Sequence, residues 1–170
     1  MATIEEKISQ AEYIVYQFEL EYLGRAFAIL NEVIVDNRAT DPEIADALNL
    51  KGFIVAGPAP CHTEYEEDET GLIYYLQALK HNPHHLGALL NTINSFTQHD
   101  MRQPFTRQNK PAFIKAYEVL RDDLYDSLDE NGRNCLLRFS DTYDKFKQEG
   151  LWQTRKPRWT FGLNDLSKFG

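Results

Sequence analysis

A chain of 170 residues with 42% hydrophobic and 12% aromatic content suits one folded domain and argues against intrinsic disorder. No apolar run reaches the roughly 18 residues that a membrane span requires, and MATIEEKISQ carries acids where a secretory signal has its apolar region, so a cytoplasmic protein is expected. The formal net charge of −8 speaks against general binding to nucleic acid or anionic membrane and is compatible with a basic protein partner. Two cysteines make no disulfide framework: Cys135 reads as a small core residue and Cys61 as a free thiol in a polar loop.

Thr3-Ile4-Glu5-Glu6 has the spacing of a capping box. Ile4, Ile8, Ala11, Val15, Phe18 and Tyr22 then follow the helical period, and Gly24 marks a break before a second helix through Ala26, Leu30, Val33 and Ile34. Asp41-Pro42-Glu43 opens a third helix, with Asp41 as N-cap, through Ile44, Ala47, Leu48, Gly52 and Val55 to Gly57-Pro58. Residues 57–69 read as a loop whose Glu64, Glu66, Glu67, Asp68 and Glu69 gather negative charge. That charge favours the next helix's N-terminus, or it offers Glu66, Glu67 and Asp68 to a basic partner.

Two further apolar stripes follow, Gly71-Tyr75-Ala78-Leu79 and Ala88-Leu89-Thr92-Ile93-Phe96, separated by Asn82-Pro83. Proline ends the first of these helices because it lacks the N–H and disfavours the α region at Asn82. Residues 98–110 read as an insertion. Pro111 opens a helix through Phe113, Ala116, Tyr117, Leu120 and Leu124, and one more helix carries Leu136, Leu137, Phe139, Tyr143 and Phe146 to Gly150. The pattern predicts an all-α fold of about seven helices, in a domain over 1–150 followed by a tail over 151–170. Four bases against Asp165 give that tail +3, so the first 150 residues carry −8 − 3 = −11. Trp152, Trp159 and Phe161 suit packing on the last helix pair, against the acidic body, better than stacking on nucleic acid.

Gly71, Tyr75, Ala78 with Leu79, and Pro83 make the pattern of a small residue, an aromatic, a small-large pair and a closing proline. This stretch resembles the second helix of a tetratricopeptide repeat, and Ala88-Leu89-Leu90-Asn91 resembles the opening of the next unit. Ala26, Leu30, Val33 and Ile34 stand 45 positions before the first set, an internal echo of the same spacing. Helix starts near 3, 42, 84 and 130 lie 39, 42 and 46 apart, longer than the family's unit of about 34. The resemblance implies antiparallel helix hairpins stacked as a short superhelix, with a groove along the first helices that holds a partner's segment. It points to Asn49, Lys51, Asn91, Asn94 and Gln98 as groove residues. Asn91 would clamp a peptide backbone, since an amide both donates and accepts. Lys51 stands where the family has a large apolar residue.

No phosphate loop, metalloprotease helix or nucleophile elbow is present, and no catalytic residue or cofactor is assigned. Cys61-His62 with His81, His84 and His85 invites a metal-dependent enzyme as the alternative, but Pro83 interrupts any shared helical face and paired ligand spacing is missing. The favoured expectation is a protein-binding module of the immunity-protein or chaperone and adaptor kind. Its partner would be another protein, basic in character, such as a toxin or secreted client.

Overall fold

Residues 1–17, 20–57 and 71–150 are described by the structure, a computed structural model. The tail over 151–170, the acidic loop with Glu66, Glu67 and Asp68, and Cys61 with His62 lie outside these residues. Thr3 opens α1 (Ile4–Tyr16): its hydroxyl accepts from the Glu6 N–H at 3.1 Å and the Glu6 carboxylate accepts from the Thr3 N–H at 2.7 Å. Helix α1 ends at Tyr16, so Tyr22 leaves the predicted stripe; it sits in a 3-10 turn, Leu20–Tyr22, and is exposed. Helix α2 (Leu23–Val35) buries Ala26, Leu30 and Val33.

The start of α3 (Asp41–Ala56) falls one residue before the expected place. Thr40 is the cap, and Glu43 accepts from both its backbone N–H (2.8 Å) and its hydroxyl (2.7 Å). Helix α4 (Leu72–His81) follows Gly71, then α5 (Leu86–Asn94), a short α6 (Pro104–Gln108) and α7 (Lys110–Asp122). The predicted last helix is two, α8 (Glu130–Arg138) and α9 (Ser140–Gln148), divided at Phe139. Ser140 explains the division: its hydroxyl donates to the Leu137 carbonyl at 3.0 Å, giving that acceptor a partner outside the helical ladder. Leu137, expected on the apolar stripe, is 72% exposed as a result of the bend. This split and α6, which occupies the expected insertion, bring the described residues to nine α-helices.

Successive helices pack in order, α1 on α2, α2 on α3, α3 on α4, α4 on α5, α5 on α7 and α7 on α9. A second set of contacts joins the first helices of neighbouring pairs, α1 to α3, α3 to α5 and α5 to α8. The buried residues of all these helices form one hydrophobic cluster, and the described residues contain no strand. Fold class is therefore all-α, with adjacent helix pairs sharing one core.

The α3–α4 contact is a close approach of backbones. Gly71 has φ +75°, and a Cβ there would meet the Gly52 carbonyl and Cα. A Cβ on Gly52 would in turn meet the Tyr75 ring. Lys51 is 4% exposed, its Nζ donating to Asn31 Oδ1 at 2.6 Å and lying 4.5 Å and 4.8 Å from the Phe27 and Tyr74 ring centroids. Its apolar stem fills the large buried position while the rings and the amide receive the ammonium.

Tyr75 is 2% exposed, so Tyr75→Ala is expected to cost about 3–5 kcal/mol in denaturant titration. The two hydrogen bonds from Thr40, the backbone one foremost, hold the Glu43 carboxyl below its usual range. A depressed folded value gives stability that is full above the ordinary carboxylate range and is lost as pH falls through the folded value. Thermal melts of Glu43→Gln between neutral and acid pH should thus show a shallower acid-side loss than the wild type.

Candidate protein-docking groove

Helices α1, α3, α5 and α8 are the first members of their pairs; α1, α3 and α5 each bring a row of residues at helical spacing to one side, and α8 adds Cys135 and Arg138. On α1 it is Glu5, Ser9, Glu12 and Tyr16; on α3, Asp46, Asn49 and Phe53; on α5, Gly87, Asn91 and Asn94. Side chains link these stripes sideways. Tyr16 meets Phe53 with ring centroids 6.2 Å apart, and Asn91 Nδ2 donates to Asn49 Oδ1 at 2.9 Å. Asn94 Oδ1 accepts from Arg138 Nη2 at 2.9 Å and from the Cys135 thiol at 3.6 Å. Four helices separated widely in sequence thereby present a continuous face.

Two hollows open along this row. One, of about 300 Å³, lies between Phe53, Ala56, Gly57 and Tyr75 on one side and Asn91, Asn94, Ser95 and Asp100 on the other. The second, of about 350 Å³ between α1 and α3, is lined by Glu5, Ile8, Ser9, Glu12, Glu43 and Asp46. The face is thus acidic at its α1 end, amide-rich at its centre and cationic at Arg138.

Of the residues expected in a groove, Asn49, Asn91 and Asn94 come together here. Lys51 does not join them; it is turned into the core toward α2 and α4. Gln98 is exposed and lines another hollow, with Phe96, Met101 and residues of α9. Gly87 escaped the sequence reading, although a Cβ there would stand 3.1 Å from Asn49 Nδ2 and 3.3 Å from His85 Cε1. Its missing side chain leaves room for the amide pair. No local pattern announces this, because Asn49 is distant in sequence.

The histidines of the α4–α5 turn each face a carboxylate on another helix or its end. His81 Nδ1 lies 2.8 Å from Asp41 Oδ1, His84 Nε2 3.4 Å from Asp123 Oδ2 and His85 Nε2 2.7 Å from Asp46 Oδ1. His85 also caps α5, its Nδ1 accepting from the Ala88 N–H at 3.0 Å, so Nε2 carries the proton donated to Asp46. These rings diverge to separate partners. Among the described residues no three His, Cys, Asp or Glu side chains are grouped as a metal site would need. No helix among them is long and apolar enough to cross a membrane.

The thiol of Cys135 is pushed up chiefly by burial, with the Arg138 hydrogen bond opposing. Such a thiol is a poor nucleophile at neutral pH. Comparison of the chain with protein-family models, curated proteins and solved structures finds no significant match.

His84 and His85 differ in exposure, with side chains 58% and 13% exposed. Urea titration of His84→Ala should stay within about 0.5 kcal/mol of the wild type. His85→Ala, which removes a helix cap, should cost about 1 kcal/mol.

Proposed function

We propose that this chain is a tetratricopeptide-like helical-repeat protein that holds or occludes another protein along the row α1, α3, α5 and α8, without catalysing a reaction. The observation that carries the reading is the Asn49–Asn91 amide pair, set at the middle of the row beside a hollow and held clear by Gly87. Paired amides leave a donor on one residue and an acceptor on the other. They can therefore engage an extended backbone without reading its side chains.

Charge selects the kind of partner. The α1–α3 hollow is lined by Glu5, Glu12, Glu43 and Asp46, and the chain as a whole carries −8. Such a face speeds encounter with a basic protein and repels an acidic one. A cytoplasmic inhibitor of a basic toxin, in the manner of an immunity protein, and a chaperone for a basic client both meet this description. The acidic loop with Glu66, Glu67 and Asp68 belongs to the same proposal as a second source of negative charge.

The test is co-purification on the tagged full chain with identification of the bound protein, followed by titration of that protein against variants. A basic protein recovered at near-equal amounts is expected, with Asn91→Ala weakening it roughly tenfold, about 1.4 kcal/mol, and leaving the melting temperature unchanged. Binding should also fall as salt screens the exposed charges. A partner indifferent to Asn91→Ala and to Asp46→Lys would place the contact elsewhere and overturn the groove reading.

A further inference from the structure

The central hollow carries more than amides. Phe53 and Ala56 bring the last turn of α3 to it, and Asn91, Asn94 and Ser95 bring the last turn of α5. Two helices therefore present their carbonyl ends to one cavity, and aligned peptide dipoles place partial negative charge at that end. Asp100, at the start of the 3-10 turn Asp100–Arg102, adds a full negative charge to the lining. Its Oδ2 accepts from the Thr97 hydroxyl at 2.5 Å, and its backbone N–H donates to the same hydroxyl at 3.2 Å, so the carboxylate is held in place. Among the described residues no donor reaches Asp100 Oδ1 or Asn91 Oδ1. Asn94 Oδ1 already receives a guanidinium, that of Arg138 from α8. Phe53 and Tyr75 add two aromatic rings to the same lining.

We propose that this hollow seats an arginine side chain of the partner protein. The inference rests on the docking row for its partner, and on the hollow's own residues for its chemistry. Carboxylate, helix carbonyl ends, amide oxygen and ring faces all favour a cation. A guanidinium suits them better than an ammonium. It donates in a planar fork to a carboxylate and lies flat against a ring, and it gives up its weaker hydration more readily. The hollow, about 300 Å³, has room for one long side chain. Asn91 belongs both to the amide pair and to the lining, so a backbone held on the amides lies beside the cavity that its arginine enters. The amides then grip any extended chain, while the hollow selects where along a basic one they grip.

The full chain, isotopically labelled and free of partner, can be titrated with N-acetyl-arginine methylamide and with its lysine and citrulline counterparts. The Asn91 side-chain amide and the backbone amides of Ala56, Ser95 and Asp100 should shift together and saturate at about millimolar probe. Citrulline keeps the shape without the charge and should bind at least about tenfold more weakly, and lysine about threefold more weakly. Asp100→Asn should weaken the arginine probe about tenfold with the melting temperature unchanged, and Phe53→Leu, which removes only the ring, about threefold. Equal binding of citrulline or lysine, an Asp100→Asn variant of unaltered affinity, or shifts confined to other residues overturns the proposal. Arginine bound in the hollow of a chain that recovers no protein would sink the docking row and leave this site standing. A protein held through Asn91 by a chain that ignores arginine would do the reverse.

Discussion

Helices α3 and α4 can lie side by side only because glycine faces glycine between them. Gly71 takes the left-handed conformation that starts α4, and its absent Cβ leaves space for the Gly52 carbonyl. Gly52 in turn leaves space for the Tyr75 ring, which closes the same junction. From this close approach follow the register of Asn49 on α3, the depth at which Tyr75 forms the floor of the central hollow, and the seat of α5 on α4. A side chain at either glycine would push the pair apart and separate the stripes of the proposed docking row.

Ends of helices were the most legible features, because capping chemistry is local. Thr3 with Glu6 forms the expected bonds, and Asp129 caps α8 in the same local way by accepting from the Gly132 N–H. Asp41-Pro42 misled by one position since Thr40 competes as a cap and its bond to Glu43 wins. The apolar stripes at Ala26–Val33 and Tyr75–Leu79 are buried as their period requires. Leu137 departs from the same argument: Leu136 and Phe139 are buried as expected, but Leu137 is exposed where Ser140 takes its carbonyl and the helix divides.

The site was less legible than the fold, for a physical reason. Asn91 could be singled out from its place in a repeat pattern, but its partner Asn49 lies 42 residues away, and Gly87 matters only through that partner. Lys51 shows the opposite failure. A lysine in a sequence suggests surface, yet Phe27, Tyr74 and Asn31 converge on it from two other helices and make burial tolerable. Similarly, the turn histidines suggested ligands by their clustering. Each instead meets Asp41, Asp123 or Asp46, contacts that tie the α4–α5 turn to α3 and to the end of α7.

Stacked pairs share one core and bring residues of α1, α3, α5 and α8 onto a common face, the face proposed to hold a partner. The most direct measurement is the side-chain amide spectrum of isotopically labelled protein titrated with its bound partner. On this account the resonances of Asn49, Asn91 and Asn94 shift together, at the same saturation as the partner binds. Shifts confined to α2, α4 and α7, with those three amides unmoved, would contradict it.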